Sequence, residues 1–127
     1  MLYEARRPRG GANVKRWISS MSTEDLYISV LTLGEVRRGI GRLERRDRAQ
    51  AEIYEAWLTT VRRDHEDRIL PVDAEAAEEW GRMNVPDPIS IVDGLMAATA
   101  MVKNMTFVTR NNSDFARTGV RLLNPFT

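Results

Sequence analysis

The stretch that decides the fold is IVDGLMAATAMV (Ile91–Val102), which is followed almost at once by MTFVT (Met105–Thr109). The first segment is apolar on nearly every side, as a helix within a protein core is. The second is short and β-rich, which is typical of a buried strand. One carboxylate, Asp93, stands near the start of the apolar helix. Burying a carboxylate without a partner costs folding free energy, so the partner of Asp93 has to be identified.

The same alternation of strand and helix patterns runs through the rest of the chain. Strands are predicted at Leu26–Leu31, Arg68–Val72 and Val120–Leu123. Helical patterns lie between them: Val14 to about Ser20, Thr32–Leu43, Asp47 to about Asp67, a helix headed by Asp73, and a short turn or helix over Asn111–Arg117. Alternating strands and helices form a parallel sheet covered on both faces. We therefore predict a three-layer α/β fold, with a parallel sheet flanked by helices, in one domain of residues 1–127.

Composition excludes several kinds of site. The 127 residues include no cysteine and one histidine, His65, which lies in the charged run RRDHEDR and is expected on a solvated surface. Cysteine-type zinc sites, histidine-rich metal sites and a Ser-His-Asp triad are therefore poorly supported. The net charge of +1 gives no global field for a nucleic acid. The chain has neither an apolar run of membrane-spanning length nor a signal-peptide start, so we expect a cytoplasmic protein without a membrane partner.

Three acidic residues are predicted to lie near the edge of the sheet at which parallel sheets have their functional crevice. Glu35 follows the strand Leu26–Leu31, Asp114 follows the strand Met105–Thr109, and Asp93 heads the apolar helix. The crevice of such a sheet lies beyond the carboxyl ends of its strands. Carboxylates that converge there repel one another unless a divalent cation neutralises them, and hard oxygen ligands favour Mg²⁺ or Mn²⁺. The pattern is consistent with a metal site that hydrolyses a phosphate ester.

Helix capping explains the same residues without a metal. Thr32…Glu35 and Ser90…Asp93 both match the Ser/Thr-x-x-Glu/Asp capping box, and Asp73 also fits a helix cap. Taken singly, each carboxylate is better explained as a cap, and only the joint pattern favours a metal. The sequence alone leaves the two interpretations open.

Two surface features also have two interpretations. Arginines crowd the helix after Leu31 and would form either a ridge for a nucleic-acid backbone or a solvated face: Arg37, Arg38, Arg42, Arg45 and Arg46. The stripe Tyr54, Trp57, Leu58 on the next helix belongs to a core or to a protein interface.

The segments TLGEVRRGI, IVDGLMAATAMV and FVTRNNSDF, with the ending LLNPF, resemble the PIN-domain ribonucleases, specifically the VapC toxins of bacterial toxin–antitoxin pairs. The resemblance covers essentially the whole chain. It implies an endoribonuclease dependent on Mg²⁺ or Mn²⁺, with Glu35, Asp93 and Asp114 as catalytic metal ligands and Thr109 and Asn111 supporting the last loop. It also implies an RNA substrate, a homodimer, and a VapB-type antitoxin that blocks the site.

One departure from the family pattern concerns the start of the chain. The pattern opens with a strand ending in Asp, in a sequence like LDTNVLxE, whereas this chain begins MLYEARRP. Aligned on Glu4 and the following RRP, Met1 falls just after the DTN. We therefore expect a truncated first strand without its Asp, a gap or raw edge in the sheet, and a native start upstream.

Three functions remain after this departure. The first is a metal-dependent endoribonuclease that acts as a toxin. The second, favoured by the missing Asp, is a catalytically impaired PIN-like module that only binds its antitoxin. The third and weakest is a flavodoxin-like receiver domain, which would need an acidic pair at its first strand and a Lys after a later strand, and neither is seen.

Overall fold

The computed structural model describes residues 2–4, 26–109 and 112–124. Its elements in chain order are β1 (Leu2–Glu4), β2 (Leu26–Ser29), α1 (Val30–Glu44), α2 (Arg48–Asp64), a 3₁₀ turn (Glu66–Arg68), β3 (Ile69–Leu70), α3 (Ala74–Met83), α4 (Ile91–Val102), β4 (Met105–Val108), α5 (Asn112–Phe115), a second 3₁₀ turn (Ala116–Thr118) and β5 (Arg121–Leu123). The helix predicted at Val14–Ser20 lies outside the described residues. Of the helices in the described part, none is long and apolar enough to cross a membrane.

The chain divides into two compact units. The large unit comprises Met1–Tyr27 and Val72–Thr127, and the small unit comprises Ile28–Pro71. Strand β2 runs from one unit into the other, since its first two residues belong to the large unit and its last two to the small unit. The prediction of one domain concerns the whole chain and stays a prediction.

The small unit is built on two capped helices. The Ser29 hydroxyl accepts a hydrogen bond from the Leu31 N–H at 3.0 Å and so starts α1, and the Asp47 carboxylate accepts from the Gln50 N–H at 3.1 Å and starts α2. The helices enclose a small core of Ile40, Ala51 and Leu58, packed by Leu33, Val36 and Leu43. Strand β3 pairs in parallel with the end of β2.

The first predicted strand is shorter than expected. We predicted a strand over Leu26–Leu31, whereas β2 ends at Ser29 and Val30 already belongs to α1. The Ser29 cap explains the difference, because it supplies an acceptor to the first turn and stabilises the helix against the β preference of the residues around it.

The large unit contains the predicted parallel pairing and one antiparallel strand. β4 and β5 pair in parallel, with Phe107 opposite Leu122. The expected gap at the start of the sheet is wrong, because β1 pairs antiparallel with both β2 and β4. Strand β1 thereby supplies hydrogen-bond partners to two strands whose backbone groups need them.

Two helices form most of the core of the large unit. Helix α3 packs on α4, and α4 packs on β4. Residues of α4 are buried over almost two turns: Gly94, Met96, Ala97, Ala98, Thr99 and Ala100. The apolar helix that opened the sequence analysis is therefore a core helix, as predicted, and its amino-terminal turn carries Asp93.

Candidate functional site

Asp93 lies in the first turn of α4 and is partly buried. The positive end of a helix dipole favours a carboxylate at this position. The capping-box interpretation needs the Ser90 hydroxyl as its other half, but the Ser90 side chain makes no capping hydrogen bond. One of the two bonds of a capping box is therefore missing, which weakens that explanation for Asp93.

Asp114 is exposed in the short helix α5, and the residues around it are well anchored. Its neighbour Phe115 is buried and meets Phe107 of β4 edge to face, with ring centroids 5.5 Å apart. The Thr109 N–H donates to the Leu123 carbonyl at 3.0 Å, which extends the pairing of β4 and β5 by one residue. Thr109 thus supports the start of the loop that carries Asp114, while Asn111 lies outside the described residues.

The other side of α5 is also held in place. The Thr118 hydroxyl donates to the Phe115 carbonyl at 2.7 Å, and the Arg117 guanidinium donates to the Asp87 carbonyl in the connection before α4. Gly119 adopts a positive φ of 86°, a conformation that favours glycine, and turns the chain into β5. Asp114 is therefore an exposed carboxylate beside the buried anchor Phe115, and its role as a metal ligand stays a prediction.

Glu35 lies one turn further into its helix than we predicted, and its convergence with Asp93 and Asp114 stays a prediction. It is exposed on α1 in the small unit, and the first turn of that helix contains no acidic residue. Because α1 begins at Val30, Thr32 lies inside the helix and Glu35 in its second turn. The capping-box explanation of Glu35 is therefore wrong, and so is the expectation that it heads its helix.

Asp73 is a helix cap in this structure. Its carboxylate accepts a hydrogen bond from the Ala76 N–H at 2.9 Å and lies 3.5 Å from the Lys103 ammonium. The hydrogen bond, followed by the charge of Lys103, lowers the pKa of Asp73 below its ordinary value of 3.8, although burial acts in the opposite direction. These contacts assign Asp73 a structural role, a question that the sequence left open.

The donor chemistry fits a hard divalent cation. Asp93 and Asp114 both belong to the large unit and offer carboxylate oxygens, and Mg²⁺ is commonly held by one or two carboxylates together with waters and substrate phosphate. In the part of the chain that the structure describes, no group of three or more His, Asp or Glu side chains is placed to hold one metal ion. Asp93 and Asp114 are the two predicted ligands that belong to the large unit, and their joint role in holding a cation stays a prediction.

Sequence reasoning missed the surroundings of Asp93 and misjudged one histidine. A Cβ on Gly94 would stand 2.9 Å from Cδ1 of Trp80, so this glycine is required by a close contact between α3 and α4. The available signal was a glycine directly after the acid in a helix otherwise rich in alanine. His65 was placed on a solvated surface, but it is buried and its Nδ1 lies 3.1 Å from the Val61 carbonyl.

The small unit presents an apolar surface. Ile53, Tyr54 and Trp57 of α2 are 61%, 45% and 51% exposed, whereas Leu58 of the same predicted stripe is buried in the core. Beside this patch, a groove of about 390 Å³ runs between α1 and α2, lined by Val36, Gly39, Ile40, Leu43, Arg46, Gln50 and Tyr54. Exposed apolar residues in a contiguous patch are typical of a protein–protein interface. We call Ile53, Tyr54 and Trp57 the α2 patch.

Comparison with known proteins gives consistent results. The family described as PIN domain matches residues 1–121. Among curated relatives, "Toxin FitB" of Neisseria gonorrhoeae is 28% identical over 99% of this chain and 94% of its own length. "VapC ribonuclease Y4jK" of Sinorhizobium fredii is 28% identical over 89% of this chain and 84% of its own length.

Solved structures agree with these sequence matches. The crystal structure of FitAcB from Neisseria gonorrhoeae superposes with a TM-score of 0.82 at 28% identity, over 94% of this chain and 88% of the other. VapBC2 from Rickettsia felis, solved with a DNA fragment from its promoter, superposes with a TM-score of 0.58 at 22% identity, over 77% of this chain and 72% of the other, which speaks to the fold alone. The family match over residues 1–121 and the agreement with FitAcB confirm the fold prediction, and this chain belongs to the PIN-domain family.

Proposed function

We propose that this chain is an endoribonuclease that acts as the toxin of a toxin–antitoxin pair and depends on Mg²⁺ or Mn²⁺. The observation that carries the proposal is Asp93, a partly buried carboxylate at the head of the buried helix α4 in a PIN-domain chain. The relatives support it, since one is named a toxin and another a ribonuclease.

The residues of the large unit have distinct roles in this proposal. Asp93 and Asp114 hold the cation, which when bound supplies Lewis-acid activation of the phosphodiester. Thr109 and Phe115 keep the Asp114 loop in one position, so that its carboxylate needs little reorganisation before the reaction. Either Glu35 or Asp114 orients the water whose oxygen attacks phosphorus as the bond to the leaving oxygen breaks.

The second candidate is a PIN-like module that binds its antitoxin without cleaving RNA. One observation favours it: no set of three acidic or histidine side chains is gathered to hold a metal ion among residues 2–4, 26–109 and 112–124. A site with fewer anionic ligands binds a divalent cation less tightly.

RNA cleavage separates the two candidates. The purified chain is incubated with end-labelled single-stranded RNA in Mn²⁺, in Mg²⁺ or with excess chelator, beside a form carrying an added LDTN strand ahead of Met1. Cleavage by the chain as given, abolished by chelator, supports the nuclease. Cleavage by the extended form only supports the binding module, and cleavage that persists in chelator contradicts metal dependence.

Growth of a bacterial host tests the toxin role. We expect induction of the chain to stop growth, induction of Asp93→Asn to leave growth unchanged, and induction of the matched exposed control Asp87→Asn to stop it. Continued growth with the unaltered chain under cleavage-competent conditions would contradict the toxin proposal.

The antitoxin partner is proposed from the relative named Toxin FitB and from the FitAcB structure, each 28% identical to this chain. The α2 patch is the candidate binding site for the antitoxin, because its apolar side chains are exposed in this structure. A protein that restores growth on co-expression is the antitoxin, and we expect Trp57→Ser to remain toxic while losing that protection. Full protection of Trp57→Ser would exclude Trp57 from that binding site. The homodimer implied by the resemblance remains a prediction.

A further inference from the structure

The contact between Trp80 and Gly94 is unusually close. A Cβ at Gly94 would lie 2.9 Å from Cδ1 and 3.0 Å from Nε1 of Trp80, and 3.0 Å from Cδ1 of Ile89. Distances this short are not compatible with a real Cβ unless a neighbour moves, and the partly buried indole is a rigid ring that moves only as a unit. The edge of the Trp80 indole therefore rests on bare backbone of α4, one residue after Asp93.

Trp80 is itself held by its surroundings. The Asn84 side chain donates to the Trp80 carbonyl at 2.7 Å and accepts from the Ile89 N–H at 3.0 Å, so it joins the end of α3 to the residue before Ser90. The Trp80 indole nitrogen is buried and has no hydrogen-bond partner among the residues that the structure describes. Since a buried N–H without a partner is unfavourable, the position of the ring is set by packing against Gly94 and not by a hydrogen bond.

The outer side of the first turn of α4 faces solvent. Ile91 and Val92 are 64% and 36% exposed, and the Ser90 side chain makes no capping hydrogen bond. Gly94 is the first buried residue of the helix. The contact between Trp80 and Gly94 lies one residue from Asp93, and it restrains the backbone from which the carboxylate projects.

We propose that Trp80 is a positioning residue for Asp93, acting through its contact with Gly94. This inference rests on the proposed function only in the role of Asp93 as a cation ligand. The placement of α4 by the indole is a property of the fold and can be measured separately.

The test compares two Gly→Ala substitutions. Gly94→Ala forces the indole to move, whereas Gly81→Ala, on α3, places its Cβ where no other atom lies within 4 Å. Mn²⁺ affinity is measured by calorimetry well below the melting temperature, so that a loss of stability alone does not change it. We expect Gly94→Ala to weaken Mn²⁺ binding by at least about tenfold and Gly81→Ala to leave it unchanged.

A compensating variant shows whether the indole is the cause. Replacing the ring in Gly94→Ala/Trp80→Leu removes the atoms that the new Cβ would meet, and we expect it to recover most of the lost affinity, while Trp80→Leu alone weakens binding. Equal affinity in Gly94→Ala and Gly81→Ala, or no recovery in the double variant, would overturn the proposal.

The unaltered chain shows whether a negative result reflects failure of the proposed nuclease function or failure of the positioning role of Trp80. If neither it nor Gly81→Ala binds Mn²⁺ or cleaves RNA, the metal-dependent nuclease is wrong, and the positioning role is then decided by the backbone amide resonance of Asp93. A shift of that resonance in Gly94→Ala that reverts in the double variant supports positioning by Trp80. An unshifted resonance overturns it.

Discussion

At the scale of single residues, the two acids of the large unit are placed by different means. Asp93 is fixed by a helix that is buried for most of its length, whereas Asp114 is exposed and depends on the buried ring of its neighbour Phe115. Both acids could be selected from the sequence, because Asp93 heads a recognisable apolar helix and Asp114 follows a recognisable strand. The support given to Asp93 by Trp80 could not, since it is a contact between two helices that sequence spacing does not reveal.

Phe115 should be a strong determinant of stability. It is 1% exposed and packs edge to face on Phe107, so Phe115→Ala leaves a cavity and should cost about 3–5 kcal/mol of unfolding free energy. Phe115→Leu keeps most of the volume and should cost clearly less. Denaturant unfolding of the three proteins measures both values. If Phe115→Ala were as stable as the unaltered chain, the ring could not be what anchors the Asp114 loop.

At the scale of elements, the two faces of α2 should respond differently to truncation. Leu58 is 3% exposed in the core of the small unit, whereas Trp57, its neighbour in sequence, is 51% exposed. We expect Leu58→Ala to lower the unfolding free energy by about 2–5 kcal/mol and Trp57→Ala to change it by less than about 0.5 kcal/mol. Urea titrations of the monomeric protein provide the comparison, and equal losses would contradict the burial of these side chains.

The Asp73 carboxylate that caps α3 should make the stability of the folded chain depend on pH under acidic conditions. The pKa of Asp73 is lowered in the folded chain, so its ionised form stabilises folding fully above the ordinary value of 3.8. This contribution is lost as the pH falls through the lowered pKa. We expect Asp73→Ala to melt at a lower temperature than the unaltered chain at pH 7, with the difference shrinking as the pH falls below 3.8.

Asp73→Asn serves as the control for charge, because an amide still offers an oxygen to the Ala76 N–H. It should melt between the other two proteins at pH 7. A difference between Asp73→Ala and the unaltered chain that grows on acidification would show that the carboxylate is not the stabilising form.

Element boundaries show where sequence reasoning succeeds. Helix α4 was predicted nearly to the residue, because its apolar pattern is unbroken and ends at Lys103 and Asn104. The boundary between β2 and α1 was predicted two residues late, because Val30 and Leu31 suit a strand and the deciding feature is one hydroxyl, that of Ser29. Local propensity was overruled there by a single cap, and the position of Glu35 in its helix changed with it.

At the scale of the whole molecule, the fold could be predicted from the order of strands and helices, whereas β1 could not. Leu2 pairs with Tyr27 of β2 and with Phe107 of β4, which is about a hundred positions away, and three residues carry no periodicity that would indicate a partner. The sequence also could not decide whether the α2 patch is buried or exposed, since an apolar stripe on a helix fits a core and an interface alike.

The whole-molecule charge leads to a prediction about self-association. The net charge of +1 gives copies of the chain little mutual repulsion, and the α2 patch offers apolar surface for contact. If the chain forms a homodimer through this patch, moderate salt should leave the dimer intact, because apolar contacts are not screened. Sedimentation velocity should then show a dimer for the unaltered chain and a monomer for Trp57→Ser. A dimer in both, or dissociation by salt, would exclude the patch as the dimer interface.

The most direct test of the central claim, that Asp93 holds the cation for RNA hydrolysis, is the ratio of initial RNA cleavage rates between the unaltered chain and Asp93→Asn in Mn²⁺. The substitution removes one charge with almost no change of shape, and Asp87→Asn, on the exposed connection before α4, is the matched control. We predict a loss on the order of a hundredfold or more for Asp93→Asn and none for Asp87→Asn. Equal rates for the unaltered chain and Asp93→Asn would contradict the claim and leave Asp93 as a structural residue of α4.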